Sequence, residues 1–95
     1  MKILGEKEGF GFWAFRTAET LTAEHFSAFY PDEQEKIDKS QLAPNVKKMV
    51  TSLLTIRGLD SVYVEPHVVS ITVHYNADRL TDNQIDLARQ IISDT

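Results

Sequence analysis

Apolar residues recur at helical spacing through residues 45–57, at Val46, Met49, Val50, Leu53, Leu54 and Ile56, while Lys47, Lys48, Thr51 and Ser52 turn mostly away. The pattern predicts an amphipathic helix. Gly58 then serves as a left-handed C′ residue, with Leu54 and Leu59 as the apolar pair that often closes such a cap. Ser40 and Asn45 both suit the N-cap, with Pro44 between them. In "VYVEPHVVSITVHY" the period changes to two, which predicts two strands joined at Glu65-Pro66-His67-Val68. Alternation puts Val62, Val64, Val69, Ile71, Val73 and Tyr75 on a core face and Tyr63, Glu65, Ser70, Thr72 and His74 on the other. A second helix is expected over residues 82–93. Thr81 is its N-cap with Gln84 at N3, Leu80 and Ile85 form a staple, and Ile85, Leu87, Ala88, Ile91 and Ile92 supply the buried stripe.

The first half of the chain is less regular. Residues 2–4 and 10–16 read as a hairpin of strands separated by the turn-like Gly5-Glu6-Lys7-Glu8-Gly9. Over residues 25–30 the alternation of Phe26, Ala28 and Tyr30 favours a strand over a short helix capped by Thr22. Residues 32–39 read as a polar connector. The element order β-β-β-α-β-β-α describes an α+β domain spanning residues 1–95, in which an antiparallel sheet carries two helices on one face. The opposite face is then uncovered and is the candidate partner-binding surface. Tyr63, Glu65, Ser70, Thr72 and His74 are expected there, joined by one of the alternating sets Phe10/Phe12 or Trp13/Phe15. Both sides of that strand are apolar, so Phe12 and Trp13 both stand as candidates.

Composition narrows the function classes. The 95 residues include no cysteine, which removes disulfides, thiolate metal sites, cysteine ligation of an iron–sulphur cluster and thiol nucleophiles. No resident cofactor is expected. A formal charge of −4 disfavours nucleic-acid backbones, with Lys47, Lys48 and Arg57 as the candidates for a basic cluster. No run of about 18 apolar residues is present to span a membrane, and no secretory apolar region follows Met1. A cytoplasmic protein is expected, monomeric or weakly dimeric. No nucleophile elbow or Gly-rich phosphate loop is found, so an enzyme is not expected. His25, His67 and His74 have neither H-x-H nor H-x-x-x-H spacing and read as solvent-facing.

The stretch "EGFGFWAF" is similar to the ribonucleoprotein octapeptide of RNA-recognition motifs at Gly9, Phe10, Gly11, Phe12 and Phe15, with Glu8 in place of the basic residue and Trp13 in place of Val. In that fold the octapeptide lies on a third strand, after a helix. Here it lies near the start, where glycine flanking an aromatic strand also suits a hairpin.

A second resemblance covers residues 40–73. Leu42-Ala43, Leu53, Ile56, Gly58, Ser61-Val62 and Ile71-Thr72-Val73 follow the pattern of the N-terminal domain of Nfu-type iron–sulphur scaffold proteins, with Leu59 replacing the usual Val and His67-Val68 the usual Asp-Phe. The resemblance implies a helix leading into a β-hairpin, and a role accessory to cluster assembly. Two-domain members of that family hold the cluster through a Cys-x-x-Cys in a separate domain. The resemblance therefore implies a non-catalytic module that contacts an unidentified protein partner. The alternatives are a nucleic-acid binder using the aromatics of residues 9–15, or a small-ligand or regulatory domain of the ferredoxin-like kind.

Overall fold

Five antiparallel strands form one sheet in a computed structural model that describes residues 1–74 and 79–95. The elements are β1 (Ile3–Gly9), β2 (Phe12–Thr17), β3 (Ser27–Phe29), α1 (Gln34–Lys39), α2 (Pro44–Leu54), β4 (Ser61–Glu65), β5 (Val68–Thr72) and α3 (Asp82–Ser93). The strand order is β1-β2-β5-β4-β3, with both N-terminal hairpin strands on one side of the central β4–β5 pair and β3 at the far edge. The architecture is the expected α+β arrangement, with a third, short helix added.

The core lies between the sheet and the helices. Val62 and Val64 of β4, Val69 and Ile71 of β5, Phe15 of β2 and Phe29 of β3 are fully buried with Val50 and Leu53 of α2 and Ala88 and Ile92 of α3. These sheet residues share one face because directly opposed residues point the same way. Phe15 pairs with Val69, Val64 with Val69, and Phe29 with Val62. Val73 is also buried, as the alternation predicts. Tyr75, assigned to the same face, lies outside the described residues.

The C-terminal elements follow their local signals. Glu65 pairs with Val68 around a two-residue Pro66-His67 turn. Thr81 and Gln84 form the reciprocal capping box, with Gln84 N donating to Thr81 Oγ1 at 3.1 Å and Thr81 N to Gln84 Oε1 at 2.9 Å. Along α3 the buried stripe is Ile85, Ala88 and Ile92, flanked by Ile91. Leu87 stands outside it with 44% of its surface exposed, because it falls about 100° around the helix from Ala88.

Three expectations are corrected. The turn of the first hairpin is Phe10-Gly11, not residues 5–9, and the charged Glu6-Lys7-Glu8 run belongs to β1. Gly11 takes φ +76°, the left-handed geometry that the turn needs. Charged residues suit β1 because it is an edge strand, where they oppose pairing with another chain. The connector over residues 32–39 contains α1, whose one buried side chain, Ile37, is too little apolar signal to show a period. Finally, α2 ends at Leu54 rather than continuing to Arg57, and its last turns tighten through Thr55 N to Ser52 O and Ile56 N to Leu53 O, both 3.1 Å. Gly58 is left-handed, at φ +91°, but in the turn beyond the helix rather than at C′. At the other end Pro44 is the first helical residue and Ala43 the N-cap.

Candidate functional site

The second face of the sheet carries no described helix, and its side chains follow from register. Across the middle run Lys7, Ala14, Ser70, Tyr63 and Ala28, each opposite the next. One step along lie Gly9, Phe12, Thr72 and Ser61. Thus Phe12, Tyr63, Glu65, Ser70 and Thr72 share this face, and His74 lies at its margin. The rings crowd the backbone there. A Cβ built on Gly9 would lie 2.0 Å from the Phe12 ring, so only glycine lets that ring lie across β1.

A shallow depression of about 610 Å³ occupies the face, lined by Phe12, Tyr63, Glu65, Ser70, Thr72 and His74 from the sequence-derived set. Phe10, Gly11, Asp60 and Val73 complete the lining. Phe10, at the hairpin tip, is 94% exposed. The floor is polar but largely removed from water: Ser61 and Thr72 are buried, and their hydroxyls hydrogen-bond to each other. Ser70 is only 5% exposed and lines the depression.

Aromatic residues continue past the depression. Phe26 packs its ring 5.3 Å from that of Tyr63, tilted by 58°. The Tyr30 phenol is pushed above its ordinary value by the neighbouring Tyr63, with the negative charges of Asp60 and Glu33 adding to the effect. Tyr63 is thus in ring contact with Phe26 and electrostatically linked to Tyr30.

Trp13 is not on this face. Pairing with Ile71 and Glu8 turns it to the helix side, where it is half-buried against the core. Its indole Nε1 donates to Glu6 Oε1 at 2.9 Å. The Glu6 carboxylate also receives Arg89 of α3 in bidentate fashion, Nε to Oε2 and Nη2 to Oε1, both 2.8 Å. The Arg89 and Trp13 hydrogen bonds hold the Glu6 carboxyl below its ordinary value against the opposing effect of burial. Trp13 is thus part of a clasp that fastens the first hairpin to α3. The alternation within β2 left the choice of face open, and only its pairing with β5 decides it.

Phe10 was expected on this face only as an alternative, within a strand, and Gly11, Asp60 and Val73 are the lining residues not expected there. The Phe-Gly dipeptide was a usable turn signal, and would have placed Phe10 at the tip instead of within the strand. Asp60 immediately precedes β4 and carried no signal of its own. Among the described residues no three His, Asp or Glu side chains gather as a metal site requires. None of the described helices is long and apolar enough to cross a membrane.

No protein-family model matches the chain, and no curated protein matches it. Its fold is similar to that of protein SAV1430 from Staphylococcus aureus, a structural genomics crystal structure, with a TM-score of 0.69 and 12% identity over 97% of this chain and 99% of that one. It is also similar to the solution structure of SeR13 from Staphylococcus epidermidis, with a TM-score of 0.56 and 14% identity over 99% of this chain and 98% of that one. At these identities the likeness is one of fold alone.

Proposed function

We infer that the chain is a non-catalytic protein-binding module that engages its partner through the open face of the sheet. The observation that supports this is the grouping of Phe10, Phe12 and Tyr63 around a depression on a face without a described helix. Exposed aromatic surface costs solvation and is common where another surface docks. The resemblance of residues 40–73 to the Nfu N-terminal domain supplies the setting, a role accessory to iron–sulphur cluster assembly. With no cysteine, the chain contributes binding and positioning in that setting, while a partner supplies the thiolates.

The test is a titration of isotopically labelled protein with a Cys-x-x-Cys-bearing domain of the Nfu type, followed by amide chemical shifts. Perturbation centred on Phe12, Tyr63, Ser70 and Thr72, and weakened by Tyr63→Ala, is the expected result. Perturbation confined to the α2 and α3 surface would overturn the assignment of the face. No perturbation at all would overturn the cluster-assembly setting.

A further inference from the structure

The two carboxylates at the depression define what kind of partner segment it takes. Asp60 and Glu65 flank Tyr63 at opposite ends of β4, and neither has an ion-pair or side-chain hydrogen-bond partner among the described residues. Ion pairs elsewhere hold Glu6, Glu35 and Asp86, and what sets Asp60 and Glu65 apart from the other acidic residues is their place in the lining of an aromatic depression. Between the two acidic ends lie the rings of Phe12 and Tyr63 and the largely buried Ser70. Aromatic faces beside carboxylates favour cations, the rings through their quadrupoles and the carboxylates through charge. A hydroxyl in the lining of a depression can both donate to and accept from a docked segment.

Resting on the open-face reading above, we propose that the depression docks an extended basic segment of a partner protein, with one Arg or Lys side chain at the Asp60 end and a second at the Glu65 end. Spacing sets the register. Asp60 and Glu65 are five positions apart along extended chain, about 17 Å at roughly 3.3 Å per residue. Two cationic residues four positions apart in an extended partner lie about 13 Å apart on one face, and their long side chains cover the remainder. The residue midway between them points the same way and meets the Phe12 and Tyr63 rings, so an apolar side chain belongs there. The same carboxylates repel a phosphate backbone, which sets this surface apart from single-strand nucleic-acid platforms that pair aromatics with a positive groove.

Three synthetic peptides test the rule at pH 8 in low salt: Arg-Ala-Leu-Ala-Arg, its Gln-Ala-Leu-Ala-Gln neutral form and its Glu-Ala-Leu-Ala-Glu reversal, each blocked at both ends. The basic peptide is expected to shift the amides of Tyr63, Ser70 and Thr72 with at least tenfold higher affinity than the neutral one, and the acidic one to leave them unmoved. Affinity for the basic peptide should fall at least tenfold in the Asp60→Asn/Glu65→Gln double variant, and by severalfold between 0.05 and 0.5 M salt. Both replacements are isosteric, and thermal unfolding checks that the double variant stays folded. Equal shifts by the basic and neutral peptides, or unchanged affinity in the double variant, would overturn the charge rule while leaving the face as a docking surface. No shift at these amides with any peptide would overturn the proposal and count against the open-face reading as well.

Discussion

The two faces of the sheet solve different problems with neighbouring residues of the same strands. Toward the helices β4 and β5 present Val62, Val64, Val69 and Ile71, all fully buried, so stability on that side comes from close-packed aliphatic surface. On the reverse, the same two strands present Ser61, Tyr63, Glu65, Val68, Ser70 and Thr72, a set of hydroxyls, one carboxylate, one aromatic ring and a single aliphatic side chain. Burial alone does not distinguish the faces, since Ser61, Ser70 and Thr72 are also withdrawn from water. Chemistry does. A surface kept polar at its floor and aromatic at its rim offers hydroxyls and rings that another molecule can contact.

The largest expected effect breaks this contrast on the covered side. Phe15→Ala removes a fully buried ring that contacts the sheet centre and should destabilise by about 3–5 kcal/mol, as is usual for such core truncations. Tyr63→Ala, one face away, should cost about 1 kcal/mol, within the ordinary range for partly exposed positions. Denaturant midpoints of the two variants measure the difference directly. Equal losses would mean that the open face carries as much of the folding energy as the core.

Next come the two chain-reversal points that hold α3 and the β4–β5 hairpin in place behind that face. Gly58→Val should destabilise by roughly 1–2 kcal/mol. Its φ of +91° penalises a β-branched residue, and a Cβ there would approach Gln84 Nε2 to 2.7 Å. Thr81→Ala removes the hydroxyl that accepts from Gln84 N and should cost about 1 kcal/mol. The two sites are joined, because Gln84 also donates to Arg57 O at 2.9 Å. Combining the variants should therefore give less than the sum of the separate losses.

How far these features can be read without a structure depends on whether their cause is local. The cap of α3, the two-residue turn after Glu65 and the alternation of β4 and β5 are written in residues within four positions of one another, and each is found where the pattern puts it. The first hairpin is different. Its glycines at positions 5, 9 and 11 offered several turns, and the charges of β1 resemble a loop until the strand is known to be an edge. The facing of Trp13 is less local still, since it is set by pairing with Ile71, 58 positions later in the chain. Most of the open face was legible because β4 and β5 alternate cleanly. The undecided choice between the Phe10/Phe12 and Trp13/Phe15 sets came from a strand apolar on both sides, and the omission of Asp60 from the residue just before a strand, where alternation gives no guidance.

A smaller effect is expected at the Glu6 clasp, which sits on the covered side but near solvent. The Arg89 and Trp13 hydrogen bonds depress the Glu6 carboxyl below 4.5, so the contribution of the clasp is present above that pH and is lost as pH falls through the folded-state value. Glu6→Gln should lower stability at pH 7 by at most about 1 kcal/mol, because solvent screens a partly exposed pair. The gap between wild type and variant should then close as the pH falls below 4.5 and through the lower folded-state value. Unfolding midpoints taken from pH 7 to pH 3 test the sign, and a gap that widened in acid would show that some other group governs this region.

The smallest effect on folding belongs to Phe10, and it sharpens the comparison most. A ring 94% exposed at a hairpin tip has almost no packing to lose, so Phe10→Ser should move the denaturant midpoint by an amount equivalent to no more than about 0.5 kcal/mol. Serine is also at home in a turn whose positive φ is supplied by the adjacent Gly11. If the open face is a docking surface, the same substitution removes an apolar wall from the depression and should weaken the basic peptide severalfold. A variant that is silent in unfolding yet clearly weaker in the amide-shift titration separates a residue kept for contact from one kept for stability. Loss of stability without loss of binding would instead assign Phe10 to the packing of the hairpin, and would shift the docking surface toward Tyr63 and the aromatic residues beside β3.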